Sequence, residues 1–454
     1  MSRLAAVSIA TVVTFSIVVG AHEKERLNQL IFHDQAGEFS TIAAAPTFEK
    51  NNPFFQSLGT NGRSCNSCHQ ASDAWTITPE HIQERFRMTR GRDPLFRTND
   101  GSNCEGADVS TFSKAKEAYS LLLNKGLIRV ELPVPANAEF AVLSTDDPYG
   151  CTSTPGTLSL YRRVLPATNL RFLSTVMWDG RENTVDQSVL QDLAQQAIDA
   201  TSGHAQASTP PTQQQIAAIV AFETATYTAQ IADRRAGRLD KSGGLGGALH
   251  LSRQPFFIGI NDPLGNNPQG LSFDPKAFTS FAQFGLSDDD RSFGEECERR
   301  RARESIRRGE AIFNTKSFTI DNVAGLPSTS LKGNCTLCHD TPNVGDHSVA
   351  APLNIGLADA SQRTPDLPLY TLYCFSTQET IQTTDPGRAM ITGKCADIGK
   401  FKGPTLRALA ARPPYFHNGS AATLNDVVNF YNTRFHIGFS DQEKADLIAF
   451  LKSL

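Results

Sequence analysis

The sequence predicts a mainly α-helical fold built as two similar units, and three observations carry that expectation. One five-residue pattern occurs twice, as Cys65-Asn66-Ser67-Cys68-His69 and as Cys335-Thr336-Leu337-Cys338-His339. Comparable runs precede the two copies: Asn52 to Gly59 with Gly62 before the first, Ser305 to Asn314 with Gly333 before the second. Between the copies, residues 237 to 247 hold five glycines among charged residues, where one unit gives way to the next. The expected boundaries are 1–21 for an export signal, 22–236 for the first unit, 237–300 for an irregular connection and 301–454 for the second unit.

From the N-terminus, Arg3 precedes a mostly apolar stretch from Leu4 to Val19, and Val19-Gly20-Ala21 offers the small residues at which a signal peptidase cleaves. Serines and threonines dilute that stretch, which favours a cleaved signal over a membrane anchor. No other long apolar run exists, so no membrane span is expected in the mature chain. Ile216, Ile219 and Val220 recur at helical spacing before the glycine-rich break, and the stretch 251–300 reads as irregular. In the second unit Ile306, Ile312 and Phe313 stand among basic residues as one face of an amphipathic helix. Leu424, Val427, Val428 and Tyr431 share a face of another. Ser440 with Glu443 makes a capping box for a last helix that turns Leu447, Ile448, Leu451 and Leu454 inward.

The chain has 454 residues, a net charge of −4 and 39% hydrophobic residues. That balance is ordinarily globular and gives no basic surface for nucleic acid. The nine cysteines carry the chemistry. Cys-x-x-Cys-His is the attachment pattern of c-type haem. Two thiols at fixed spacing add to the two vinyl groups of one porphyrin, and the adjacent His reaches the iron. A zinc site or a redox disulfide would use Cys-x-x-Cys but requires no His after each pair. The expectation is therefore two covalently bound haem c groups, one on Cys65, Cys68 and His69, the other on Cys335, Cys338 and His339. Each would be wrapped by a cytochrome-c-like helical domain, with long irregular connections. Of the remaining cysteines, Cys104 with Cys151 and Cys374 with Cys395 are paired as closures of surface insertions. Cys297 is left over, and sequence alone does not fix the connectivity.

Three further segments complete a pattern: Trp178-Asp179-Gly180-Arg181 followed by Gln187, Phe401-Lys402-Gly403-Pro404-Thr405-Leu406-Arg407, and Pro414-Tyr415-Phe416-His417-Asn418-Gly419. With the two haem motifs they resemble the bacterial di-haem cytochrome c peroxidase and MauG family from about residue 40 to 454, with about 90 to 160 as an insertion. The resemblance implies a periplasmic oxidoreductase that reduces hydrogen peroxide at the haem of His69. Electrons would be relayed through the haem of His339, with Trp178 between the two. It implies a small redox protein such as a cytochrome or cupredoxin as donor, a homodimer, and calcium held partly by backbone carbonyls near Arg412 and Pro414. Tyr431 falls where family peroxidases place an axial Met and MauG an axial Tyr, so it is expected on the second iron. Gln187 resembles the family's distal Gln but lies one residue nearer the Trp. The family's distal Glu is absent from Leu193 to His204, which leaves Asp199 and His204 as substitutes; His204 has a side chain suited to moving protons near neutral pH. His81 is a weaker expectation as a displaceable ligand of the first haem. Two other functions fit the same motifs: a dihaem cytochrome that only transfers electrons, and an oxygen-dependent oxygenase on the same scaffold.

Overall fold

The computed structural model describes residues 27–44, 48, 50–151, 155–183, 188–288 and 293–454. The expected export signal and Gln187 lie outside the described residues. Helix makes up 31% and strand 18% of the described chain. The expectation of a mainly α-helical fold is therefore wrong, and the fold is mixed, with four sheets among the described residues. The error has a physical source: segments read as connections or insertion contain strands whose burial comes from pairing with distant parts of the chain.

The N-terminal hairpin shows this. Strand Leu27–His33 pairs antiparallel with Gly37–Ala44 through a turn in which Asp34 Oδ1 accepts the Ala36 and Gly37 N–H groups at 2.8 and 2.7 Å. The second strand then pairs with Tyr227–Asp233, almost two hundred residues on. That partner strand follows helix Gln213–Ala225, so the sheet holds the helix against the first haem motif. Within the presumed insertion, strand Thr157–Arg163 pairs with Leu127–Pro133, and Phe140–Asp146 pairs with Leu369–Cys374 of the other half. Disulfides join Cys104 to Cys151 and Cys374 to Cys395, with Cα atoms 5.3 and 6.0 Å apart, the two pairings expected from the sequence.

The expected helices of the second half are present. Helix Glu295–Thr315 packs on the last helix, Asp441–Lys452, whose Ser440–Glu443 capping box forms as read. Their approach requires glycine at position 309, because a Cβ there would lie 2.0 Å from the Asp446 carbonyl oxygen. Phe278, Phe281 and Phe284, from the irregular stretch, are buried in the same core as Ile306, Phe313, Leu447 and Phe450. Residues 251–288 thus lack long regular elements but contribute to a packed core, where each aromatic ring removes a large apolar area from water.

Candidate haem cavities

Each Cys-x-x-Cys-His motif folds the same way. The cysteine-bearing turns are short 3-10 helices, Cys65–Ser67 and Cys335–Leu337, which bring the following His back onto the turn. His69 N–H donates to Cys65 O at 3.0 Å and His339 N–H to Cys335 O at 3.2 Å. The imidazoles are oriented alike: His69 Nδ1 bonds the Trp75 carbonyl at 3.0 Å, and His339 Nδ1 bonds the Gly345 carbonyl at 2.6 Å. A donor Nδ1–H leaves Nε2 with its lone pair, the tautomer a metal-binding imidazole needs. Burial lowers both imidazoles to about 4, so both are neutral at ordinary pH. A phenylalanine from the preceding run packs beside each ring, Phe54 at 6.2 Å from His69 and Phe313 at 6.0 Å from His339.

The four motif cysteines are free thiols. Burial pushes Cys65, Cys335 and Cys338 up to about 12 and raises Cys68 as well. Exchange-active dithiols need the opposite shift, toward thiolate. Each motif instead opens into a cavity of porphyrin dimensions. The first has an empty volume of about 1130 Å³ and the second about 1780 Å³, their open mouths included. Arg63, Arg162, Arg163 and Arg181 line the first, and Arg163, Lys402 and Arg412 the second, a supply of cations for the propionates at a porphyrin edge. Paired thiols, a neutral oriented imidazole, an adequate cavity and cations together fit a haem c at each motif.

Trp178 lines both cavities, as do Arg163, Val164 and Leu165. Its indole N–H donates to the Arg163 carbonyl at 2.8 Å, and its own carbonyl accepts from Lys402 N–H at 2.9 Å. Sequence reasoning treated the Asp179 that follows only as part of a motif, but it anchors this turn. Asp179 is fully buried between Arg162 and Arg181, and Arg162 also forks onto Asp385 at 2.7 and 2.9 Å. Burial alone would raise its carboxyl; the two guanidiniums hold it at about 2. Arg388 caps the turn by donating to the Asp179 and Gly180 carbonyls at 3.1 and 2.6 Å.

Part of the first cavity's lining is polar. His204 lies on it, at the end of helix Val189–Gly203, with Nδ1 bonded to Asp100, which also pairs with Arg63. Burial opposes ionisation of Asp100, but His204 and Arg63 hold its carboxyl below the usual range. Glu223, which the sequence reading passed over, lines the same cavity from helix Gln213–Ala225. It is buried, its Oε2 has no hydrogen-bond partner, and burial pushes it up to about 8. The signal was available: it is the one acid of the otherwise uncharged helix Gln213–Ala225, directly after the apolar run Ile216 to Phe222. Asp199 is exposed, bonds Gln195 and does not line the cavity; His81 likewise turns away, onto Asp73.

The second cavity is walled by aliphatic and aromatic residues of helix Leu424–Arg434 and its neighbours. Tyr431 lines it, and burial together with Cys338 and Cys335 raises its phenol. His417 stacks on Phe401 at 4.0 Å with its Nε2 buried and unbonded, and its ring centroid lies 6.3 Å from that of Trp178.

No family model matches the chain. A protein of Denitromonas iodatirespirans named cytochrome-c peroxidase IdrP2 is 35% identical over 133 residues, 27% of this chain and 36% of its own length. The cytochrome c551 peroxidase of Nitrosomonas europaea is 41% identical over 76 residues, 16% of this chain and 23% of that protein. A solved MauG-like protein associated with microbial copper homeostasis aligns over 89% of this chain and 86% of its own, at 17% identity and a TM-score of 0.40. The chain thus spans well under half the length of the curated relatives it matches. The matched segments are similar to parts of bacterial proteins named cytochrome-c peroxidase.

Proposed function

We propose that the chain is a periplasmic di-haem oxidoreductase that reduces hydrogen peroxide at a haem on His69, with electrons relayed from a haem on His339. Residues 22–236 and 301–454 would be the two haem-bearing units. The observation that carries this reading is the placement of Trp178 on the walls of both cavities. A haem c held there would supply the two-electron chemistry of peroxide cleavage.

The protein's part is to hold that haem and to supply protons, since turning one peroxide into two waters consumes two protons and two electrons. Glu223 holds a proton near neutral pH because its burial is uncompensated, which suits a general acid facing the first cavity. His204, oriented by Asp100, is the second group able to carry a proton there. Tyr431 would serve as the oxygen ligand that lowers the potential of the second iron. Two disulfides fit an oxidising compartment, and among the described residues no helix is long and apolar enough to cross a membrane. A small redox protein, a cytochrome or cupredoxin, would deliver the electrons.

The test is an electron paramagnetic resonance spectrum of the purified ferric protein, repeated after one equivalent of peroxide. Two covalent haems, a high-spin signal from one, and loss of ferric signal on peroxide addition are expected. Two low-spin signals untouched by peroxide would instead describe a cytochrome that only transfers electrons. A stable oxygen adduct with no peroxide requirement would describe an oxygenase.

A further inference from the structure

Beside the second haem motif three buried side chains converge, one of which, His347, also lines the second cavity. Asp262 comes from the irregular stretch, and Asp340 and His347 from the loop that follows Cys338; they are 1%, 0% and 4% exposed. One ligand atom from each lies within 4.8 Å of those from the other two.

Their hydrogen bonding is half complete in the same way. Asp262 Oδ2 accepts from Asn266 N–H and from Asn266 Nδ2 at 2.8 and 2.7 Å, while Oδ1 has no partner. Asp340 Oδ1 accepts from Ser348 N–H at 2.6 Å, while Oδ2 has none. His347 Nδ1 bonds the Cys338 carbonyl at 3.3 Å, while Nε2 has none. Asp340 Oδ2 also lies 3.4 Å from His347 Nδ1 without meeting hydrogen-bond geometry. Each side chain is thus oriented by one atom and leaves another bare. That is the arrangement of metal ligands fixed by outer hydrogen bonds. Without a cation, burying these oxygens unpaired is costly.

We propose that Asp262, Asp340 and His347 form a site for one divalent transition-metal ion of the zinc class, separate from the haem irons. Two carboxylates with an imidazole suit Zn²⁺; calcium sites are built from oxygen donors alone. The ion would tie the 256–270 stretch to the second attachment loop, a junction already bridged by Asn261 Nδ2 to the Asp340 carbonyl at 3.1 Å and by Gly259 N–H to the Ser348 carbonyl at 2.9 Å. The site does not depend on the peroxidase reading.

The test uses the full haem-loaded chain, stripped with a chelator and titrated with Zn²⁺. Haem content is measured on the same sample, so failure to load haem is told apart from failure to bind zinc. The expected result is one zinc per chain, with affinity falling at least ~10-fold in Asp262→Asn at unchanged haem content. Absence of zinc binding, or equal binding by the variant, would overturn the proposal, as would binding of Ca²⁺ in preference to Zn²⁺. Should Asp262→Asn not fold, X-ray absorption at the zinc edge of the wild-type chain decides. Nitrogen and oxygen neighbours at about 2.0–2.1 Å support the site, and sulfur at about 2.3 Å places the zinc on cysteine and sinks it.

Discussion

The two cavities share one construction at the motif and differ in the rest of their lining. At both, a 3-10 turn carries the thiols, the histidine Nδ1 bonds a carbonyl six residues on, and a phenylalanine from the preceding run packs on the ring. In the rest of the lining the first cavity presents His204, Asp100, Arg63 and Glu223, whereas the second presents Tyr431 and His417 among mostly aliphatic and aromatic side chains. Attachment chemistry fixes the motif, because two vinyl groups and one iron leave little freedom. The rest of the lining is where the two sites can be given different tasks. Proton-bearing groups suit a site that turns over substrate, and an apolar wall suits one that only changes oxidation state.

The comparison breaks most sharply if the first motif is removed. Cys65→Ala with Cys68→Ala should halve the covalent haem per chain and abolish peroxide reduction, while the second haem's spectrum stays in place. Residual turnover near the wild-type rate would locate the chemistry at the second cavity instead. Next in size is Glu223→Gln, which keeps the shape and removes the proton. Peroxide kcat/KM should fall ~10²- to 10⁴-fold, the usual range for a general acid, with donor binding unchanged. A linked effect on stability checks the same group. Its folded pKa of about 8 lies above its unfolded value, so its stabilisation is complete below pH ~4.5 and is lost as pH rises to ~8. The slope there approaches ~1.4 kcal/mol per pH unit. Glu223→Gln should flatten that part of a pH–denaturation curve, and an unchanged slope would mean that Glu223 is ionised in the loaded protein.

The sequence made the attachment motifs legible and left much of the remaining lining unread, for a physical reason. Cys65, Cys68, His69 and their second copy are contiguous, so spacing alone carries them. Tyr431 and Trp178 came from resemblance, as did the attention to His204. Glu223 meets the first cavity only because strand Tyr227–Asp233 pairs with Gly37–Ala44 and fixes the preceding helix. Gly59 contributes similarly: a Cβ there would lie 1.9 Å from the Ala205 carbonyl, and Asn61 Nδ2 donates to the His204 carbonyl at 2.8 Å. The strands escaped notice for the same reason: Phe140–Asp146 and Leu369–Cys374 lie far apart in sequence and acquire their register only by meeting. The helices at 213–225, 295–315, 424–434 and 441–452 needed no distant partner to be read, since apolar spacing or caps mark them locally.

The wall common to both cavities is held by charge, and Asp179→Asn tests it. Removing one partner of a buried ion pair costs about 3–5 kcal/mol, and Arg162 would keep only Asp385. The Asp179 carboxyl is held low, at about 2, so its contribution is present above its unfolded value near 4 and is lost as pH falls toward 2. The variant should therefore lose stability at neutral pH and differ little from wild type near pH 2. Its haem content should be unchanged, because neither motif touches Asp179. A loss of similar size across the whole pH range would show that packing, not charge, holds the Trp178 turn.

Tyr431→Phe has the smallest expected effect on stability and bears most directly on the difference between the cavities. The hydroxyl is worth about 1 kcal/mol as an ordinary hydrogen-bonding group, so folding should be nearly unaffected. Burial and the neighbouring thiols push the free phenol toward its neutral form, and only a nearby cation would stabilise the phenolate. A haem iron held by His339 would provide that cation, with Tyr431 as the oxygen donor that lowers its potential. The variant should raise the potential of one haem and change one of the two ferric resonances. The first cavity contains no Tyr431 atom, so the other resonance should stay as it is. A shift in both would mean that Tyr431 acts on the shared wall, and a shift in neither that the phenol only packs against helix Leu424–Arg434.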